Sequence, residues 1–486
     1  MTSTRLDPAP AVGAKPSNAP FGLRHWAALP IILAGTFMVT LDFFIVNVAI
    51  PSLQQQLHAT PGEILFVVAG YGLAYASGMV TAGRLGDLYG RRRLFTLGLA
   101  LFTLSSAACG LAPSARILVL ARVVQGLAAA LLGPQGLAML GIIYTGEDRA
   151  RAFTMYGLAL GLAAVSGQLI GGLLIAANVA GLDWRACFFI NVPIGIVAVV
   201  LAPRLLRESR AESRARLDLA GAALVTLAVL AVVLPLIEGR ELGWPLWTWM
   251  CLAASLPLLL AFVGYQRWLG TLGGTPLVDL ALFGERAFAV GLLAILVFFA
   301  GMASFFLVLA LYLQEGRGLS ALESGAIFTI LGFGYSAASL YAPRLAQRLG
   351  RQVLAAGALG MAAGLSLLTV IVARIGEDRS ILLLTPALLL DGVGMGLALA
   401  PLISTVLAGL PARHAGAAAG ILTTMQQVAN ALGVAIIGLI FYGTLGPTVS
   451  QAAYPRAFGL SLLYLVVLAV AVAVLIQLLP RGRKQG

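Results

Sequence analysis

Lysine is almost missing. Lys15 and Lys484 are the only two in 486 residues, and neither follows a glycine-rich turn. A Walker A phosphate loop needs its lysine there, so ATP hydrolysis by that route is excluded. Uphill work must then draw on an ion gradient or a partner subunit. The three cysteines, Cys109, Cys187 and Cys251, are scattered in or beside apolar runs. An odd, dispersed set makes neither a disulfide framework nor a metal site. The three histidines, His25, His58 and His414, show no HExxH spacing, and no GxSxG occurs, so no catalytic residues and no cofactor are expected. Charge is also scarce, at 10% of residues where soluble domains carry about 25%.

What is present is apolar. Hydrophobic residues make up 60% of the chain, and the mean hydropathy is +0.97. They fall in runs of roughly 20 residues, the length of a helix that crosses a bilayer. A β-barrel would instead alternate over about 10 residues. The fold class is therefore an all-α integral membrane protein solvated by the lipid bilayer. The net charge of +12 reads as the cytoplasmic bias of a membrane protein rather than as a nucleic-acid surface.

The runs predict 14 transmembrane helices, at about 27–49, 64–83, 94–112, 117–140, 153–176, 187–205, 219–237, 247–268, 287–313, 323–342, 352–373, 381–408, 416–443 and 457–479. One set of loops together with both termini holds 23 of the basic residues, and the other set holds 7. Both termini are therefore expected to be cytoplasmic. Residues 1–25, rich in Pro, Ala and Ser, read as a disordered cytoplasmic tail, and 481–486 as another. The first apolar run is too long for a signal-peptide core and contains Asp42, which argues against cleavage.

The chain repeats itself. RLGDLYGR at Arg84–Arg91 is echoed by RLAQRLGR at Arg344–Arg351, and Gln125–Gly126 by Asp391–Gly392. Each pair sits at the same place in a six-span block. This predicts an N-terminal six-helix bundle over 26–205 and a C-terminal one over 276–480. A linker and an inserted pair of helices fall between them, over 206–275. Parallel halves of this kind meet around a central cavity near the membrane midplane.

Charged and glycine-rich segments inside or beside the spans carry the chemistry. Asp42 lies well inside the first span, and Asp391 inside the twelfth. An intramembrane carboxylate must face a wet cavity or a partner. Arg122 is the one basic residue placed inside a span. It either serves a function there or snorkels to the outer interface. Asp391 is either a second functional group or a structural hydrogen-bonding residue across helices. In GRLGDLYGRRRLF, from Gly83 to Phe95, Gly83 and Gly90 permit a tight turn and close approach of helix ends. Asp87 can cap a helix start and pair with Arg91.

These segments resemble signatures of the major facilitator superfamily. Gly83–Phe95 resembles its gate loop, carried here by Gly83, Asp87, Gly90 and Arg91. ARVVQGLAAA, from Ala121, resembles its R-x-x-Q-G motif. GLAAVSGQLIGG resembles the glycine-rich antiporter motif through Gly161, Gly167, Gly171 and Gly172, with Gln168 where proline is usual. LDFFIVNVAIP, from Leu41, resembles the signature of the fourteen-span drug/proton antiporters, with Phe44 where threonine is usual. WRACFFINVPIG, from Trp184, is typical of the same group. The resemblance covers about 26–480.

The resemblance implies a major facilitator fold and proton-coupled export of drugs or other small amphiphilic molecules by alternating access. The alternative is a dedicated exporter of one metabolite, such as an antibiotic, siderophore or amino-acid derivative. Proton coupling is expected at Asp42, Arg122 and Asp391, the last being no part of the resemblance and open also to the reading of a substrate contact. The expected substrate cavity is lined by Tyr71, Tyr75, Gln125, Phe298, Met302 and Gln426. The aromatics of the ninth span, Phe298, Phe299, Phe305, Phe306 and Tyr312, are expected to face lipid in part, and Trp184 to mark an outer interface. Expected partners are a small-molecule substrate and protons, with room for periplasmic adaptor proteins. A monomer in a bacterial cytoplasmic (inner) membrane is expected.

Reporter fusions test the topology. Fusions at Gln485 and near Arg210 should label as cytoplasmic, and one near Leu242 as external. The same side for all three would sink the fourteen-span arrangement.

Overall fold

In a computed structural model of the chain, fourteen helices among the described residues are long and apolar enough to cross a membrane. The structure describes residues 26–210, 218–274, 276–278, 280–374, 380–408, 415–446 and 450–479. The two tails, and part of the linker, lie outside these. In chain order the helices are α1 (Ala28–Leu57), α2 (Pro61–Tyr89), α3 (Arg91–Gly110), α4 (Ala115–Ile143), α5 (Gly146–Ala177), α6 (Asn191–Leu205), α7 (Leu219–Glu241), α8 (Leu246–Thr271), α9 (Arg286–Leu311), α10 (Ala321–Leu349), α11 (Gln352–Arg374), α12 (Thr385–Ala408), α13 (Ala415–Leu445) and α14 (Ala453–Leu478). Short turns at Asp183–Arg185 and Ala186–Phe189 lead into α6.

Each expected span is a helix, and most are longer than their apolar run. Apolar length fixes only the part in lipid, and the helix continues until a capping signal ends it. The segment from Gly83 to Phe95 shows this best. Expected as a loop, it is helix through Tyr89, a single turn residue, Gly90, at φ 109°, and helix again from Arg91. Glycine takes that φ without steric cost.

The repeat extends to the caps. The side chain of Thr60 accepts the Glu63 N–H at the start of α2, and Glu63 accepts the Thr60 N–H in return, with Pro61 in the first turn. Ser320 and Glu323 do the same at the start of α10. These reciprocal boxes satisfy two orphan donors each. Ser320 stands 260 positions after Thr60, as Gly350, which ends α10, stands after Gly90.

The packing repeats with the caps. In the N-terminal half α2 and α3 lie on α4, α3 on α6, and α1 on α5. In the C-terminal half α10 and α11 lie on α12, α11 on α14, and α9 on α13. The halves meet through α5 against α10, α2 against α13, and α1 against α9. The inserted α7 lies across this seam, touching α2 and α13, while α8 packs on α7. Glu241 at the end of α7 accepts the Gly62 N–H at 2.5 Å and the Thr60 hydroxyl at 3.2 Å. Asp218 at its start accepts the Gln266 amide of α8 at 2.7 Å.

Two expectations are corrected. Phe298, Phe299, Phe305, Phe306 and Tyr312 are all buried, because α9 is wrapped by α12, α13, α14 and α1. Trp184 is fully buried rather than interfacial. Its indole donates to Gln56 at 3.0 Å, which satisfies the one polar group that would otherwise hold it at the interface.

Candidate functional site

Asp42 on α1 and Arg122 on α4 form an ion pair in which both side chains are wholly buried. Asp42 Oδ1 also accepts from Gln125 Nε2 at 2.9 Å and from Asn191 Nδ2 at 2.8 Å. Arg122 donates through Nη1 to the Gln125 carbonyl at 2.8 Å and through Nε to the Val67 backbone carbonyl at 2.9 Å. Its guanidinium carbon stands 4.2 Å from the centroid of the Tyr71 ring. Asn191 is itself braced by Ser106 at 3.0 Å. One network thus ties α1, α2, α3, α4 and α6. Snorkelling of Arg122 is overturned, because a partnered guanidinium has no need to reach water. Asp42 faces a partner and not a wet cavity.

The network borders the seam. Phe43 lies 6.1 Å from Tyr71, and Phe44 lies 4.9 Å from Phe306 of α9. Phe306 in turn lies 5.4 Å from Phe328 of α10. Phe44 therefore serves as an apolar bridge between the halves, two residues on from Asp42 and so on nearly the opposite face of α1. Gln168 is fully buried and donates to the Phe44 carbonyl at 2.9 Å. The two departures from the family motifs are joined to each other: α5 is stitched to α1 by a side chain.

The glycines of α5 face two ways. A Cβ on Gly167 would lie 3.3 Å from Ile45 N and 3.4 Å from Leu41 O, so this face presses on α1. Gly171 faces Val48 and Ile45 of the same helix. Gly161 faces Tyr335 of α10, and Gly172 faces the Ala321 backbone. Small residues allow such backbone-to-backbone approach between helices in lipid, and here they form the three-way junction of α1, α5 and α10.

At the Gly90 turn Asp87 pairs with Arg91 at 2.7 Å. Asp87 sits in the last turn of α2 and not at a helix start, so its capping role is corrected while the pairing stands. Close approach occurs at Gly86 and not at Gly83. A Cβ on Gly83 would be a comfortable 3.7 Å from Pro134, whereas one on Gly86 would enter the Gln135 amide. Glu208, beyond α6, clasps the turn by accepting the Arg92 N–H at 3.1 Å.

The six expected cavity residues are not gathered in one place. Tyr71, Tyr75 and Gln125 are buried within the N-terminal half, where the cation draws Tyr71 onto Arg122. Phe298 and Met302 border a cavity of about 20 Å³ within the C-terminal half. Gln426 is half-buried on α13. Asp391, 3% exposed, borders the same small cavity as Met302 and is not joined to Asp42. Asn191, Ser106 and Gln135 carry no signal of their own in the sequence, because single polar residues in apolar runs have no periodicity, and Glu208 lies in the polar stretch Arg207–Arg210 with nothing to mark its partner. The place of Asn191 inside the segment WRACFFINVPIG was the one available signal.

The Major Facilitator Superfamily family model matches residues 32–434 and 295–485. The probable actinorhodin transporter of Streptomyces coelicolor is 36% identical over 429 residues, covering 87% of this chain and 73% of that protein. The multidrug resistance protein Stp of Mycobacterium tuberculosis is 32% identical over 418 residues, covering 85% and 75%. The xylose transporter XylE of E. coli superposes with a TM-score of 0.66 at 14% identity, covering 95% of this chain and 99% of that one. That last likeness concerns the fold alone.

Removing one member of a buried ion pair costs about 3–5 kcal/mol, because the other charge is left uncompensated, while replacing both is close to neutral. Arg122→Met should therefore lower the melting temperature in detergent strongly, and the double variant Asp42→Asn/Arg122→Met should recover most of the loss. Additive losses would show that the two side chains do not interact.

Proposed function

This chain belongs to the major facilitator superfamily, and on that footing we propose that it is a proton-driven antiporter exporting drugs or other small amphiphiles by alternating access. The observation that carries the reading is the fully buried Asp42–Arg122 pair beside the seam. In its charged form Asp42 holds α1 to α4 through Arg122 and Gln125, and to α6 through Asn191. A proton on Asp42 removes the negative charge from this bundle of donors and leaves Arg122 with the Gln125 and Val67 carbonyls. The hold of α4 and α6 on α1 weakens, and Phe44, two residues on, is then free to press on Phe306 of α9. Substrate entering between the halves must part Phe44 from Phe306, so proton and substrate act on the same stretch of helix. That gives coupling by mutual exclusion, with each ligand changing the affinity for the other by the same factor.

With cytoplasmic termini, the close approaches of Gly172 to Ala321 and of Gly438 to Leu65 lie toward the outer face. This arrangement is then closed to the outside. We place the protein in a bacterial cytoplasmic membrane as a monomer, with periplasmic adaptor proteins as optional partners. Export of a single antibiotic is the second reading, favoured by the likeness to the probable actinorhodin transporter. Resistance profiling of an efflux-deficient host separates the two: many unrelated compounds favour the first, one compound the second.

Proton-gradient-driven dye extrusion in inverted vesicles, with protein amount controlled, tests Asp42. Asp42→Asn should reduce concentrative efflux by about tenfold or more, within the usual range of coupling factors, while binding of uncharged compounds persists. Wild-type pumping by this variant would remove Asp42 from the coupling site.

A further inference from the structure

The repeat puts a second site in register with the first. A Cβ on Gly126 of α4 would enter the carbonyl of Tyr71, and one on Gly392 of α12 would enter the carbonyl of Leu331. Leu331 stands 260 positions after Tyr71, the same spacing as between the caps of α2 and α10. Gly126 and Gly392 are therefore equivalent, and Asp391 stands where Gln125 stands in the other half. The same spacing carries Asp42 of α1 onto Met302 of α9. The contacts agree: Asp42 bonds Gln125 in one half, and Met302 and Asp391 border one cavity in the other. The carboxylate has changed helices, and the position of Arg122 is taken by Leu388, which is fully buried.

Among the described residues, Asp391 is thus a buried carboxyl without a counter-cation. Its Oδ1 has no hydrogen-bond partner among the described residues. Facing it are Met302 and Phe305 of α9, Met361 and Leu365 of α11, and Leu465 of α14, none of them charged or titratable. α13 contributes no residue to the lining. Of the titratable side chains of α10, Glu323, Tyr341, Arg344 and Arg348 are exposed, and the buried one, Tyr335, has its hydroxyl facing Gly161 of α5.

The chemistry narrows the ligand. A hard metal cation takes six or more oxygens, and here one carboxyl stands among thioethers and rings. An organic amine does not fit in about 20 Å³, which is room for a single water. A bare carboxylate at this depth costs several kcal/mol, and a proton removes that cost. We infer that Asp391 is a second proton-binding site, in the C-terminal half, at the place that answers to the Asp42–Gln125 network of the other half and independent of Arg122. The inference rests on the antiport reading above. The Asp391 carboxyl releases its proton to water when the cavity opens, leaving a hydrated carboxylate, and takes one back from water on the other side. Each cycle then moves two protons, one per half.

The test is the substrate gradient held at equilibrium by proteoliposomes at zero membrane potential, with an uncharged exported dye. One pH unit is a tenfold proton ratio, so two coupled protons sustain about a hundredfold dye gradient and one proton about tenfold. Wild type should reach about a hundredfold and Asp391→Asn about tenfold. A tenfold gradient in wild type, or a wild-type gradient in Asp391→Asn, overturns the second site. Failure of the Asp42 assignment reads separately, as a wild-type gradient in Asp42→Asn. Asp391→Glu, which keeps a titratable group, guards against a misfolded variant. It should shift one protonated-carboxyl band in infrared pH-difference spectra, and a spectrum unchanged from wild type overturns the inference.

Discussion

Two opposite charges sealed from water at Asp42 and Arg122 constrain most of what surrounds them. Desolvating such ions is costly, and the cost is offset only when geometry is good and the remaining donors and acceptors are met. Gln125 and Asn191 meet Asp42, and Val67 and Gln125 meet Arg122 through Nε and Nη1, while its Nη2 has no hydrogen-bond partner among the described residues. Tyr71 lies under the guanidinium and sends its own hydroxyl to the Val39 carbonyl at 3.1 Å. Five helices of one half are thereby fixed around a single charge balance. A change of one proton at that place alters the interactions of all five.

The seam beside the pair is apolar and close. Phe44 stands at a position where the fourteen-span antiporters usually carry threonine, and it fills the gap to Phe306. Gln168 stands where they usually carry proline, and it bonds the Phe44 carbonyl. A proline would free a carbonyl and bend α5. Here α5 keeps its hydrogen bonds and gains a link to α1. The glycine faces on either side of Gln168 keep both α1 and α10 within reach, so the junction is tight without being bulky.

Much of this was legible in the sequence. Apolar runs of membrane-spanning length located all fourteen helices, and the RLGD and QG echoes placed the repeat that the caps and packing follow. Intramembrane charges marked Asp42, Arg122 and Asp391 before any contact was known. Partnership was not legible, since nothing in a linear run says that residues 42 and 122 meet. The same limit assigned Tyr71 and Gln125 to an open cavity, when the buried cation claims both. It also sent the α9 aromatics toward lipid, because a uniformly apolar helix shows no period by which to tell its buried faces.

The central claim is that proton and substrate compete through Asp42. Purified protein in weakly buffered detergent, mixed with an exported compound, reports this directly through a pH indicator. The account predicts proton release on substrate addition, with fewer protons released per substrate bound by Asp42→Asn than by wild type. Equal release from the two proteins would contradict it.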